Sequence, residues 1–179
     1  MTTYYIADPH LGHTNIIKYC SRPFNNVEHM NRDLIANWNS VVTDDDSVYL
    51  LGDITLSGWQ RFVYYMNQLN GNIRIIPGNQ DRRWLKRWKN YPFDMPGHVE
   101  VLDSIVATKE VIMCHYPLLT WSRSHYGVIN LHGHSHGVIG NVTRSGLEAD
   151  GGYRVDVGVD CWNYYPVTMD QIKRRISDG

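Results

Sequence analysis

Val48-Tyr49-Leu50-Leu51-Gly52-Asp53 is the stretch that decides the fold. Four apolar residues without polar alternation suit a strand buried on both faces. The glycine then permits a sharp turn, and a carboxylate stands just beyond it. The same order recurs along the chain. Tyr4-Tyr5-Ile6-Ala7 ends at Asp8-Pro9-His10, and Ile73-Arg74-Ile75-Ile76 is stopped by Pro77-Gly78 and followed by Asn79-Gln80-Asp81. The run from Glu110 to Cys114 leads to His115, and Val128 to Leu131 leads into Gly133-His134-Ser135-His136. In open α/β sheets, ligands sit beyond the carboxyl ends of the strands. Each of these blocks lies at such an end.

Helical periodicity fills the spaces between. Ile16, Ile17, Tyr19 and Cys20 mark a short helix opening at Gly12-His13, and Met30, Leu34, Ile35 and Trp38 mark an amphipathic helix over 27–41. A helix over about 59–69 and a terminal helix over 169–176 follow from the same reasoning. Further on, 99–106 reads as one strand, and 155–159 alternates like a half-exposed one. Early strand–helix alternation predicts parallel crossovers, whereas the strand-rich later half predicts antiparallel pairing. With no repeats or linkers, the expectation is one α/β domain over 1–179 with mixed sheets.

Composition excludes several classes. The 179 residues are 42% hydrophobic and 20% charged, with a net charge of −1, so the surface as a whole is no polyanion trap. No apolar run approaches the roughly 20 residues that span a bilayer, so no membrane partner is expected. The N-terminus lacks a basic segment followed by an apolar stretch, and Cys20, Cys114 and Cys161 are too few for a disulfide framework. Both point to the cytoplasm.

The blocks carry the chemistry of a metal centre. Asp8 and His10, like His134 and His136, are i, i+2 pairs that reach one side of extended backbone. Asp53 has two oxygens and is able to bridge two cations. Asn79 offers a neutral oxygen, and His115, His134 and His136 offer imidazoles suited to Zn, Fe or Ni. Two carboxylates against two divalent cations leave a surplus of positive charge that suits a phosphate ester. Such a pair of ions lowers the pKa of a shared water and clamps the phosphoryl group.

The order Asp-x-His, Gly-Asp, Gly-Asn-x-Asp, His, Gly-His-x-His resembles that of the calcineurin-like metallophosphoesterase superfamily. The stretches Asp8–Phe24 and Asn163–Val167 resemble a small bacterial and phage branch of it. The resemblance implies a β-sandwich of two mixed sheets flanked by helices. It implies that Asp8, His10 and His136 hold one metal, that Asn79, His115 and His134 hold the other, and that Asp53 bridges them. It also implies hydrolysis of phosphomonoesters or phosphodiesters by attack of a hydroxide held between two ions, with Mn expected first and Zn, Ni or Fe open. One position departs from the pattern. Where the family has a catalytic His oriented by the acid after it, this chain has Gln80 before Asp81. Glutamine donates a hydrogen bond but delivers no proton. Three readings stay open: a natural variant for good leaving groups, replacement by another histidine such as His13, or an engineered change that traps substrate.

Arg82-Arg83-Trp84-Leu85-Lys86-Arg87-Trp88-Lys89 follows directly. Interleaved cations and aromatics suit phosphates and bases, which makes Arg82 and Arg83 candidate substrate contacts. The alternative is an ordinary amphipathic helix burying Trp84, Leu85 and Trp88. Arg22 is read as either a phosphate contact or a structural ion pair. The expectation is a binuclear phosphoesterase, acting on a diester of nucleotide or nucleic-acid type before a monoester or phosphoprotein. The rival is an impaired metal- and phosphate-binding module, resting on Gln80. Oligomeric state is not written in the sequence.

Overall fold

In the computed structural model, which describes residues 1–92, 95–144 and 152–178, two mixed five-stranded sheets are flanked by helices. The first sheet has β1 (Thr3–Ile6), β2 (Ser47–Leu50), β3 (Asn72–Ile75), β4 (Val99–Val101) and β10 (Val167–Thr168). Its order is β10-β1-β2-β3-β4, parallel from β1 to β4 and antiparallel only at β10. Helices α1 (Thr14–Tyr19), α2 (Val27–Val41), α3 (Trp59–Met66) and α4 (Arg82–Asn90) supply the crossovers, as parallel strands require.

The second sheet has β5 (Ile105–Ala107), β6 (Val111–Cys114), β7 (Ile129–His132), β8 (Val142–Arg144) and β9 (Tyr153–Asp156), in the order β5-β6-β7-β9-β8. The antiparallel expectation holds only at its edges. β6, β7 and β9 are parallel neighbours, so their carboxyl ends point the same way. The single strand read over 99–106 divides into β4 and β5, one in each sheet, with Leu102, Asp103 and Ser104 between them. The run from Val155 to Val159 is not half-exposed: Val155, Asp156, Val157 and Val159 are all fully buried.

Alternation along each strand divides the core. Ile6, Val48, Leu50, Ile73 and Ile75 pack with Met30, Leu34, Trp38, Phe62 and Trp84 of the helices. Tyr5, Ala7, Leu51 and Ile76 pack with Met113, Leu131, Val155 and Val157 of the second sheet, joined by Ile172 of α5 (Met169–Asp178). Leu51 and Ile76 are therefore core residues as well as the steps that lead out to the loops. A bridge between Ala7 and Gly158 ties the two sheets together at the edge of those loops.

Candidate metal centre

Six parallel strands deliver their C-terminal loops to one place. β1 brings Asp8 and His10, β2 brings Asp53, β3 brings Asn79, β6 brings His115, β7 brings His134 and His136, and β9 leads to Asp160. The loops interlock through backbone bonds, with Asp8 N donating to Gly52 O, His10 N to Asp53 O and Gly133 N to His115 O. Gly52 lies at φ +79, and a Cβ there would collide with the backbone of Gly78. A Cβ on Gly133 would strike Ala7 and the Asp8 carboxylate.

Nine non-glycine residues among those described have positive φ, and five of them are Asp8, His10, Asp53, His134 and His136. That conformation is uncommon for non-glycine residues. Its concentration on five of the seven expected ligands is the pattern of local strain held in place by a functional site.

The side chains form two groups. Asp8, His10 and His136 place ligand atoms within 4.8 Å of one another, and so do Asp53, His115 and His134. Asn79 joins the second group, its Oδ1 lying 3.0 Å from His115 Nε2. Asp53 reaches toward both: Oδ1 is 3.4 Å from His115 Nε2, and Oδ2 is 3.7 Å from His10 Nε2. The structure thus brings together all seven residues expected to be ligands.

The hydrogen bonds of these groups leave ligand atoms on which cations could be held. His115 Nδ1 lies 2.8 Å from Leu51 O. Donation in that direction leaves Nε2 as a lone pair facing the oxygens of Asn79 and Asp53. Burial pushes His115 down to about 4, so no proton separates these three acceptors at neutral pH. In the other group, Asp8 Oδ1 and His10 Nε2 are buried without a hydrogen-bond partner. Burial pushes His10 down to about 2 and lifts Asp8 well above the usual carboxylate range. Buried acceptors without donors are costly, and divalent cations would satisfy them. Residue groups able to hold metal ions are therefore present.

Several residues that the sequence reading passed over or assigned otherwise brace these groups. Asp160 Oδ2 accepts from His136 Nδ1 at 2.7 Å, which turns His136 Nε2 toward the Asp8 group. Burial works against the charge on His136. The hydrogen bonds with Asp160 and Cys20 and the nearby Asp8 outweigh it and raise the imidazole to about 10. Arg22 holds Asp160 in turn, with Nε and Nη2 each at 2.8 Å. The remaining Arg22 donors go to Asp8 O, Pro9 O and Met30 Sδ. All five are used and the side chain is fully buried, so Arg22 stands in a structural ion pair with Asp160 and keeps no donor for a phosphate. Asp156 accepts from Ser135 Oγ, Gly137 N and Gly158 N, bracing the loop that carries His134 and His136. Asp156 and Asp160 were legible as two carboxylates set in an apolar run.

Asp81 needs a correction. It is fully buried, and its carboxylate accepts from Asp53 N, Ile54 N, Gly78 N and Trp84 Nε1. With its acceptor capacity taken, it clamps the Asp53 loop to the Gly78 loop and orients nothing at position 80. Gln80 is half-buried, and its backbone N–H donates to Asp53 Oδ1 at 2.8 Å. His13 does sit at the site, its Nδ1 3.4 Å from His10 Nδ1. Arg82 and Arg83 are exposed on the first turn of α4, while Trp84 is buried and Leu85 and Trp88 pack partly against the core. That segment is the amphipathic helix.

No family model matches the chain. An uncharacterized protein of Methanocaldococcus jannaschii, MJ1445, is 35% identical over 182 residues, which cover 98% of this chain and 92% of that one. The chain belongs to the family of MJ1445. A protein of unknown function from Aquifex aeolicus, AQ665, shares the fold with a TM-score of 0.65 at 21% identity, over 97% of this chain and 98% of the other. The nuclease MPE of Pseudomonas putida superposes more loosely, at a TM-score of 0.48 and 17% identity, over 75% of this chain and 61% of that one. That likeness is too distant to bear on this chain's activity.

Proposed function

We propose that this chain is a metal-dependent phosphoesterase of the calcineurin-like superfamily, a single domain that uses two divalent ions, Mn before Zn, Ni or Fe. The observation that carries the reading is the convergence of ligand atoms short of donors: His115 Nε2 and Asn79 Oδ1 beside Asp53 Oδ1, whose donor is the Gln80 N–H, in one group, and Asp8 Oδ1 and His10 Nε2, which have none, in the other. Asp8, His10 and His136 would hold one ion, Asn79, His115 and His134 the other, and Asp53 both. Ions there supply water activation and charge stabilisation for phosphoryl transfer. The chain supplies the rest. Asp160 fixes the orientation of His136, Asp81 fixes the spacing of the Asp53 and Asn79 loops, and His13 stands at the edge of the Asp8 group as an imidazole outside both ligand sets. Burial lowers the pKa of His13, as do the neighbouring cationic groups, which keeps it neutral and able to take a proton.

A second reading has its own support. Gln80 carries no transferable proton, and Asp81 is fully engaged elsewhere, so this position does not assist a poor leaving group. The chain would then bind metals and phosphate with little turnover. Bis-p-nitrophenyl phosphate separates the two, because nitrophenolate departs without a proton. Turnover that is lost in EDTA and restored by Mn²⁺ is expected. Bound metals without turnover in Mn²⁺, Zn²⁺, Ni²⁺ or Fe²⁺ would establish the binding module instead.

A further inference from the structure

Beside the metal centre, α2 and α3 border a groove of about 590 Å³. It begins at Gly12, which lies between His10 and His13 and whose N–H donates to Asn31 Oδ1. Asn31 and Arg32 of α2 line it opposite Arg61, Tyr64 and Tyr65 of α3. A second depression of about 650 Å³ shares Arg61 and Tyr64 and continues to Trp59 and to Arg87 of α4. The two depressions adjoin at Arg61 and Tyr64 and together run from Gly12 across α3. Arg32 and Arg61 stand with the single carboxylate of Glu28 in the lining of the first groove, with Asp33 paired to Arg32 beside them. The Tyr64 ring is 56% exposed and lies one turn from Arg61 on the same helical face. Arg87 is held flat on Tyr91, its guanidinium carbon 3.6 Å from the ring centroid.

We propose that this track seats a single-stranded nucleic acid, with its phosphates on Arg61 and Arg32 and a base stacked on Tyr64. The proposal rests on the phosphoesterase reading for the chemistry at the Gly12 end of the track. Cations interleaved with an exposed aromatic are the means by which unpaired strands are held without sequence readout. A duplex keeps its bases stacked inward and offers Tyr64 no free face.

The test is fluorescence anisotropy of phosphorothioate-linked oligothymidylates of two, four, eight and twelve nucleotides with the full chain. Affinity should rise with length up to a strand that fills the track, whereas a mononucleotide site would show no gain beyond the dimer and would overturn the proposal. Tyr64→Ala should weaken binding at least about five-fold, the contribution of one stacked base. Arg61→Ala should weaken it and lower the salt slope by about one ion. Arg61→Glu should weaken it further than Arg174→Glu, an equal charge change on exposed α5. Equal losses for Arg61→Glu and Arg174→Glu, or equal competition by polyglutamate, would overturn the proposal, since either means that net charge alone is read. Turnover of bis-p-nitrophenyl phosphate by the unaltered chain keeps the two readings apart. Turnover without strand binding overturns the track alone, and strand binding without turnover supports the track while removing the esterase.

Discussion

Asp53 and Asp160 show how differently two buried carboxylates contribute. Asp53 lies between the two groups, within 3.4 Å of His115 and 3.7 Å of His10. Asp53→Asn should therefore reduce metal content by elemental analysis and lower turnover by more than about 10²-fold. Arg83→Ala, on an exposed turn, should leave metal content intact. Equal loss of turnover at saturating substrate from both would overturn the bridging role. Asp160 acts through His136. Asp160→Asn should weaken metal binding by about 10–100-fold, the usual cost of losing a carboxylate behind a histidine ligand. The pH dependence follows from the same pair. Below about 10, His136 keeps its proton in the metal-free chain, and that proton must leave before Nε2 can bind. Affinity should therefore rise with pH, by up to about tenfold per unit between pH 6 and 9 for one released proton. Calorimetry in buffers of different ionisation enthalpy counts that proton, and Asp160→Asn should reduce the count. An unchanged count would remove Asp160 from the role.

At the scale of elements, the parallel strands succeed as a scaffold because their exit loops are tied to one another. Asp81 is the strongest tie, binding four donors from the loops after β2 and β3 and from α4. Trp84 then stacks on Phe62 of α3, with ring centroids 4.1 Å apart, which anchors α4 to the helical layer. Asp81→Ala should leave four N–H groups without their acceptor and destabilise the fold by about 3–5 kcal/mol. Urea unfolding measures it. A loss below about 1 kcal/mol would mean that the loops hold together without this carboxylate.

The whole molecule carries an electrostatic burden at its centre. Burial raises Asp8, Asp53 and Asp81 above the ordinary carboxylate range. A raised carboxylate favours folding below its unfolded pKa, and that contribution is lost as pH rises through the folded value. Stripped of metal, the chain should thus lose the contribution of these three groups as pH rises above the ordinary carboxylate range; His10 and His115, lowered by burial, oppose that trend up to the ordinary histidine pKa of about 6.5, and His136, raised to about 10, adds to it above. Ions at about 100 times their Kd should restore about 2.7 kcal/mol, or about 5–10 °C in Tm for a chain of this size. The gap between EDTA-treated and Mn²⁺-loaded protein in thermal melts should widen as pH rises above about 6.5, and identical melts would argue against ions at Asp8 and Asp53.

The sequence by itself determined the strand exits and the donor types at them. Apolar runs such as Val48–Leu51 require burial, and the polar residue that follows such a run is left at its carboxyl end. It also fixed α2 at Val27–Val41, where a 3.6-residue period and the Asn26 cap act locally. Only the tertiary structure decided which side chains were already engaged. Arg22 and Asp160 are 138 positions apart, and Asp81 spends its acceptors on Gly78 and on Asp53 and Ile54 across the loops. Local pattern carries no record of such pairings. For the same reason it read 99–106 as one strand: hydropathy shows where apolar residues such as Val99, Val101, Ile105 and Val106 recur but not which of two sheets each joins. It likewise missed the track along α3, because a groove is the space between helices whose mutual packing no single segment encodes.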